Sequence, residues 1–150
     1  VLTGGASGIG LETAKLLAER GAILSISDLN QKGLDEALKQ LKGSKHIASV
    51  VDVRDGLQVK QWIEKTVREL GRIDGCANVA GAARMPAVIT EATDSDWDFM
   101  IGVNARGVFN CMREQLKHLQ SGAAIVSGST FVPFTTVYPV LQPFHLYWAP

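Results

Sequence analysis

The sequence has no run of about eighteen apolar residues, the length a helix needs to cross a bilayer, so no membrane span is expected. Cysteine is scarce. Cys76 and Cys111 are the only two, and neither sits in a Cys-x-x-Cys pair or a Cys/His cluster, which argues against a metal site. Two reduced thiols packed in a cytosolic core are the expectation, with a single disulfide as the arithmetic alternative. There is no excess of charge: 15 basic residues balance 15 acidic ones. Nothing electrostatic therefore draws the chain to nucleic acid or to an anionic membrane. The N-terminus lacks the basic, apolar, small-residue order of a signal peptide, so a cytoplasmic location is expected. It opens on Val1-Leu2-Thr3-Gly4, which reads as the interior of a strand, so the natural start is expected to lie upstream.

The 150 residues are 46% apolar and 20% charged, enough for one domain with a hydrophobic core. Apolar runs alternate with amphipathic stretches. Val1–Thr3 reads as the stub of a strand that breaks at Gly4-Gly5. Gly8–Arg20 has apolar residues at helical spacing and is stopped by Gly21. Ala22–Ser27 reads as a buried strand, Gln31–Leu41 as a helix and His46–Val53 as a third strand. Asp55 is placed to cap a helix running to Leu70 and closed by Gly71. Ile73–Ala80 reads as a fourth strand and residues 82–93 as a loop. Asp94 or Ser95 can cap the next helix, Val103–Leu119 reads as a long helical stretch, and Ala123–Val126 as a fifth strand. Strands alternating with helices predict an α/β fold, a parallel sheet covered on both faces, because parallel strands need crossover connections.

The composition changes near residue 130. Residues 131–150 hold no charged residue and no glycine, but four of the five prolines and six of the ten aromatics. Prolines this dense forbid a long helix or a central strand.

The first strand leads into Thr3-Gly4-Gly5-Ala6-Ser7-Gly8-Ile9-Gly10, followed at once by a helix. Glycines let a backbone turn tightly and approach a ligand closely. The free N–H groups and positive dipole end of the helix suit a pyrophosphate. Gly8 and Gly10 are the expected close-approach positions, and Ser7 adds a hydroxyl. Asp28 ends the second strand, eighteen residues after Gly10. A carboxylate there can accept both hydroxyls of an adenosine ribose and repel a 2′-phosphate, which favours NAD over NADP. It can equally serve as the N-cap of the next helix, a task open to Asn30 as well.

The Thr-Gly-x-x-x-Gly-Ile-Gly spacing closely resembles the signature of the short-chain dehydrogenase/reductase family, and the resemblance runs from Val1 to about Thr130. It implies a Rossmann-like doubly wound parallel sheet whose C-terminal strands are missing from this chain. Residues 1–130 would be an incomplete NAD(P)-binding Rossmann domain and 131–150 an atypical tail. By the same resemblance Thr3, Gly4, Ser7, Gly8, Ile9 and Gly10 form the cofactor turn. Asp52 contacts the adenine amino group and Val53 follows the ring. Asn78-Val79-Ala80-Gly81 resembles the Asn-x-Ala-Gly motif, in which small Ala80 and Gly81 let the backbone pass near the cofactor ribose and Asn78 ties neighbouring strands, a role as much structural as cofactor-binding. Asn104, in Val103-Asn104-Ala105-Arg106-Gly107, matches a catalytic asparagine. Either Ser129 or Thr130 matches the serine that orients a substrate carbonyl, and Ser129 is taken because serine is the usual residue. No metal is implied.

The family's chemistry is hydride transfer between NAD(P) and a ketone or secondary alcohol, with a tyrosine as acid or base and a lysine four residues later. A phenol titrates near 10 in water, so it needs a nearby cation to work near neutrality. Here the only tyrosines are Tyr138 and Tyr147, the last lysine is Lys117, and Gln142 follows Tyr138 by four residues. No Tyr-x-x-x-Lys exists in this sequence. The expectation is an oxidoreductase that is catalytically incomplete in this chain. A cofactor-binding pseudoenzyme or regulatory partner is one alternative, and a fragment produced by a faulty gene model is another. A small-molecule substrate and a homo-oligomeric full-length parent are further expectations.

Overall fold

In the computed structural model, residues 1–83, 89–128 and 136–139 are described. Among these residues, six strands form one sheet: β1 (Leu2–Thr3), β2 (Ser25–Asp28), β3 (Ile47–Val50), β4 (Ile73–Asn78), β5 (Leu119–Ser127) and β6 (Thr136–Pro139). Their order is β3-β2-β1-β4-β5-β6. The first five are mutually parallel, and β6 runs antiparallel along β5. The helices are α1 (Gly8–Glu19), α2 (Gln31–Gln40), α3 (Gly56–Leu70), α4 (Asp94–Ile101) and α5 (Val108–Gln115). A short 3₁₀ turn, Ile89–Glu91, precedes α4, and a π-helical segment, Gly102–Gly107, joins α4 to α5.

Alternation along the strands divides the core in two. Leu2 and Ile26 pack with Ala14 and Ala18 of α1 and Leu34 and Ala37 of α2. Cys76 and Ile125 pack with Val59, Trp62 and Ile63 of α3 and Cys111 of α5. The second layer contains a closed polar knot. The Trp62 indole N–H donates to Ser25 Oγ at 2.9 Å, Ser25 Oγ lies 2.7 Å from Thr66 Oγ1, and Thr66 donates to the Trp62 carbonyl. Every member is paired, so burial carries no unmet hydrogen bond. Cys76 and Cys111 are free and buried, and burial pushes their thiols up to about 11 and about 12. Among the described residues, no helix is long and apolar enough to cross a membrane.

Several boundaries differ from the sequence reading. The third strand stops at Val50 because the Asp52 carboxylate accepts the Arg54 N–H and turns the chain. The cap of α4 is Thr93, not Asp94 or Ser95. Thr93 Oγ1 accepts the Asp96 N–H, and the Asp96 carboxylate accepts the Thr93 N–H in return, a reciprocal box. The expected Val103–Leu119 helix begins earlier, widens at Gly102–Gly107 and ends at Gln115, while Leu119 already belongs to β5. Asp55 caps α3 through the Leu57 and Gln58 N–H groups, and Gly71 closes it with a φ of 86°. In the proline-rich tail, the described residues form only the short edge strand β6, with Pro139 at its end.

The strand order fixes where a ligand would sit. From β1 the chain runs outward to β2 and β3, then crosses back to place β4 on the other side of β1. The loops after β1 and β4 therefore part from each other at the C-terminal edge of the sheet. Such a switch point opens a crevice between them.

Candidate functional site: the cleft at the sheet switch point

A cleft of about 370 Å³ occupies that crevice. Its floor is the glycine turn, its walls are the segments after β2 and β3, and Val79–Ala82, Phe99 and Val103 close the far side. Buried Thr3 holds the two diverging loops together, its Oγ1 accepting the Val79 and Ala80 N–H groups at 3.1 and 3.0 Å. The turn is tied to β2 by the Gly5 N–H donating to the Ser27 carbonyl at 3.0 Å.

The start of α1 differs from the starts of the three helices after it. Asn30, Asp55 and Thr93 cap α2, α3 and α4 with side-chain oxygens. Ser7, at the same place on α1, makes no side-chain cap bond, and the first turn carries no acidic residue. The first N–H groups of a helix have no partner within it. Those of α1 open toward the cleft, where Ser7, Gly8, Ile9 and Gly10 all lie. Gly8 has a φ of 52°, and a β-carbon there would meet nothing within 4 Å. At Gly10 a β-carbon would clash with the Gly4 carbonyl oxygen. One glycine keeps space free over the helix start and the other lets the turn close beneath it.

Asp28 stands beside this turn. Its carboxylate accepts the Ala6 N–H and the Asn30 N–H, each at 3.1 Å, so it is oriented by the loops on both sides. Asn30, not Asp28, caps α2, through the Gly33 N–H at 3.0 Å. Across the cleft, the Arg54 guanidinium grips the Asp52 carboxylate side-on, with contacts from 2.6 to 3.0 Å. That guanidinium holds Asp52 below the usual carboxylate range. Arg54 also lies over the Phe99 ring, 5.4 Å from its centre, linking the β3 exit to α4.

The expected site residues fall into three groups. Gly4, Ser7, Gly8, Ile9, Gly10, Asp28, Asp52, Val53, Ala80 and Gly81 line the one cleft. Thr3 and Asn78 are buried behind it; Thr3 holds its loops, and Asn78 bonds Gln115 of α5 and Ser127 of β5. Asn104 lies on the π-helical segment and clamps the backbone of Ala82. Its Oδ1 accepts the Ala82 N–H at 2.9 Å and its Nδ2 donates to the Ala82 carbonyl at 2.8 Å. Ser129 and Thr130 lie outside the described residues.

Sequence reasoning did not single out Ser27, Leu29, Arg54, Phe99 or Val103, all of which line the cleft. It also passed over Gln115. This fully buried amide exchanges two hydrogen bonds with Asn78, at 2.8 and 3.1 Å. A polar residue on the buried stripe of a helix was the available signal. Replacing Gln115 by leucine strands the Asn78 amide against an apolar neighbour. We expect a loss of about 1–3 kcal/mol in unfolding free energy, read by urea denaturation. An unchanged midpoint would show that the pair carries no such weight.

Comparison with known proteins gives a consistent result. A family profile described as "short chain dehydrogenase" matches residues 1–137. The short-chain dehydrogenase/reductase aba4 of Botryotinia fuckeliana (strain B05.10) is 43% identical over 136 residues, covering 86% of this chain and 52% of that protein. The crystal structure of levodione reductase superposes with a TM-score of 0.78 at 34% identity, covering 83% of this chain and 51% of that one. A 3-ketoacyl-(acyl-carrier-protein) reductase from Brucella melitensis, solved with NADH, gives 0.73 at 28% identity, with 77% and 48% covered. The chain spans about half the length of the curated relatives it matches.

Proposed function

The chain belongs to the short-chain dehydrogenase family, and from that premise we propose that its cleft binds a nicotinamide adenine dinucleotide, NAD in preference to NADP. The parent activity is hydride transfer between that cofactor and a ketone or secondary alcohol. The observation that carries this reading is the uncapped start of α1, with Gly8 and Gly10, facing the same cleft as the Asp28 carboxylate.

The cleft fits such a group on its own chemistry. An opening over Gly8 that any side chain would fill, beside unpartnered helix N–H groups, suits a pyrophosphate. In this reading the turn from Thr3 and Gly4 through Ser7, Gly8, Ile9 and Gly10 holds the phosphates. Asp28 accepts the adenosine ribose hydroxyls, and its negative charge disfavours a 2′-phosphate. Asp52 and Val53 border the adenine. Asn78, Ala80 and Gly81 bring backbone near the second ribose, and Asn104 positions that backbone through Ala82. Ser129 would orient a substrate carbonyl. When bound, the nicotinamide ring supplies the hydride donor or acceptor.

These residues bind and orient. They do not move the reaction's proton, because no Tyr-x-x-x-Lys occurs among the 150 residues. Residues 1–130 are accordingly read as a cofactor-binding unit without the acid/base pair. The substrate class rests on likeness to proteins named for reducing carbonyls, and the parent is read as a homo-oligomer.

The test is to mix the purified chain with NADH and a panel of ketones. The expected result is a saturable change in NADH fluorescence with no ketone-dependent consumption. Consumption of NADH by this chain would overturn its catalytic incompleteness, and an unchanged fluorescence would overturn the cofactor reading.

A further inference from the structure

We propose that Ser27 is a further cofactor-contacting residue, its hydroxyl held ready for a polar atom at the adenosine end of the dinucleotide. The proposal rests on the cofactor reading above and adds to it a residue that the glycine turn and Asp28 do not point to.

β2 buries two serines, Ser25 and Ser27, each 1% exposed. Their hydroxyls meet different fates. Ser25 Oγ is bonded to both Trp62 and Thr66. Among the described residues, Ser27 Oγ is the buried side-chain polar atom with no hydrogen-bond partner. Its own backbone is occupied: the carbonyl accepts the Gly5 N–H, and the strand pairs with Thr3 on one side and Ser49 on the other. Burying an unpaired hydroxyl opposes folding, and native interiors rarely keep one. Alanine would fill the same place without that cost. The hydroxyl is therefore free to take a hydrogen-bond partner from outside the fold.

Its position says what. Ser27 lines the cleft, next in sequence to Asp28 and with Val51 and Val53 on the same wall. That is the end of the cleft where Asp28 is read as the ribose acceptor. A hydroxyl both donates and accepts, so either a purine ring nitrogen or a ribose hydroxyl satisfies it. Asp28 and the helix start recognise charge and sugar, whereas Ser27 adds a neutral, buried contact to the same nucleoside.

The sign of the stability change separates a ligand role from a structural one. A serine that serves the fold is destabilising to remove, as expected for Ser25→Ala. A serine kept for a ligand is neutral or stabilising to remove from the free protein. Wild type, Ser27→Ala, Ser27→Cys and Ser25→Ala of the full chain are compared by thermal unfolding without ligand and by titration with NADH and with AMP. Ser27→Ala is expected to unfold at or above the wild-type temperature and to bind both NADH and AMP about three- to tenfold more weakly. Ser27→Cys, close in volume but a poor donor, is expected to show the same loss. Wild-type affinity for AMP and NADH in both Ser27 variants would overturn the assignment, whatever the unfolding temperature. So would a loss confined to NADH, which would place the contact away from the adenosine. Failure of the wild-type chain to bind either ligand would instead overturn the cofactor reading, so the two failures are distinguishable.

Discussion

Replacing Asp28 by alanine is expected to weaken NADH binding by about a hundredfold, while NADPH binding changes far less. The carboxylate is held by the Ala6 and Asn30 N–H groups at 3.1 Å each, one on either oxygen. Each oxygen keeps acceptor capacity, and the group faces the cleft. Two ribose hydroxyls donating to one carboxylate make hydrogen bonds to a charged group, worth about 1.5–3 kcal/mol each. Losing one such bond costs roughly ten- to a hundredfold or somewhat more in affinity, so about a hundredfold is the conservative expectation. The same charge repels a 2′-phosphate, so its removal takes a penalty away from NADPH while taking bonds away from NADH. Parallel titrations with the two cofactors check this. Equal losses for both would mean that Asp28 only braces the turn through Ala6 and does not read the ribose.

The second large effect is at Gly10. A β-carbon at this position would lie 2.0 Å from the Gly4 carbonyl oxygen, a backbone atom that cannot swing aside. Gly10→Val must therefore push α1 away from the β1 exit. The expected cost is about 1–3 kcal/mol or more of stability from overpacking, with NADH binding lost altogether. Gly8→Ala provides the contrast. Its β-carbon meets no protein atom, so the stability loss is limited to about 1–2 kcal/mol for a side chain at positive φ. The methyl group nevertheless projects into the space proposed for the pyrophosphate. Chemical denaturation and NADH titration of both variants should show stability and binding falling together at Gly10, and binding falling out of proportion at Gly8. Undiminished NADH affinity in Gly8→Ala would remove the pyrophosphate from that place.

Much of this architecture was legible before any coordinates, and the reasons are local. The run from Thr3 to Gly10 joins a strand stub to a helix, and alternating apolar runs leave few ways to arrange a parallel sheet. Helix ends marked by a short carboxylate or a glycine, such as Asp55 and Gly71 around α3, announce themselves. Misses arose where tertiary contacts overrode local signals. Thr93 caps α4 although two acidic or hydroxyl residues follow it, because only Thr93 forms the reciprocal box with Asp96. The helix around Asn104 departs from regular geometry where its side chain turns to clamp Ala82, 22 residues away. Arg54 and Phe99 lie far apart in sequence, and no spacing rule predicts that one stacks on the other. The pairing of Gln115 with Asn78 is equally non-local, although a buried glutamine on an apolar helix face was a usable hint. Ser27 carried no sequence signal. Its interest comes only from burial without a partner.

The central claim is that the uncapped start of α1 and the Asp28 carboxylate together form a dinucleotide site. Isothermal titration calorimetry of the 150-residue chain with NADH, repeated in the presence of saturating AMP, tests it most directly. The account predicts a single saturable site for NADH that AMP competitively occupies. A cooperatively folded chain that releases no heat with NADH, or binds it unaffected by AMP, would contradict it.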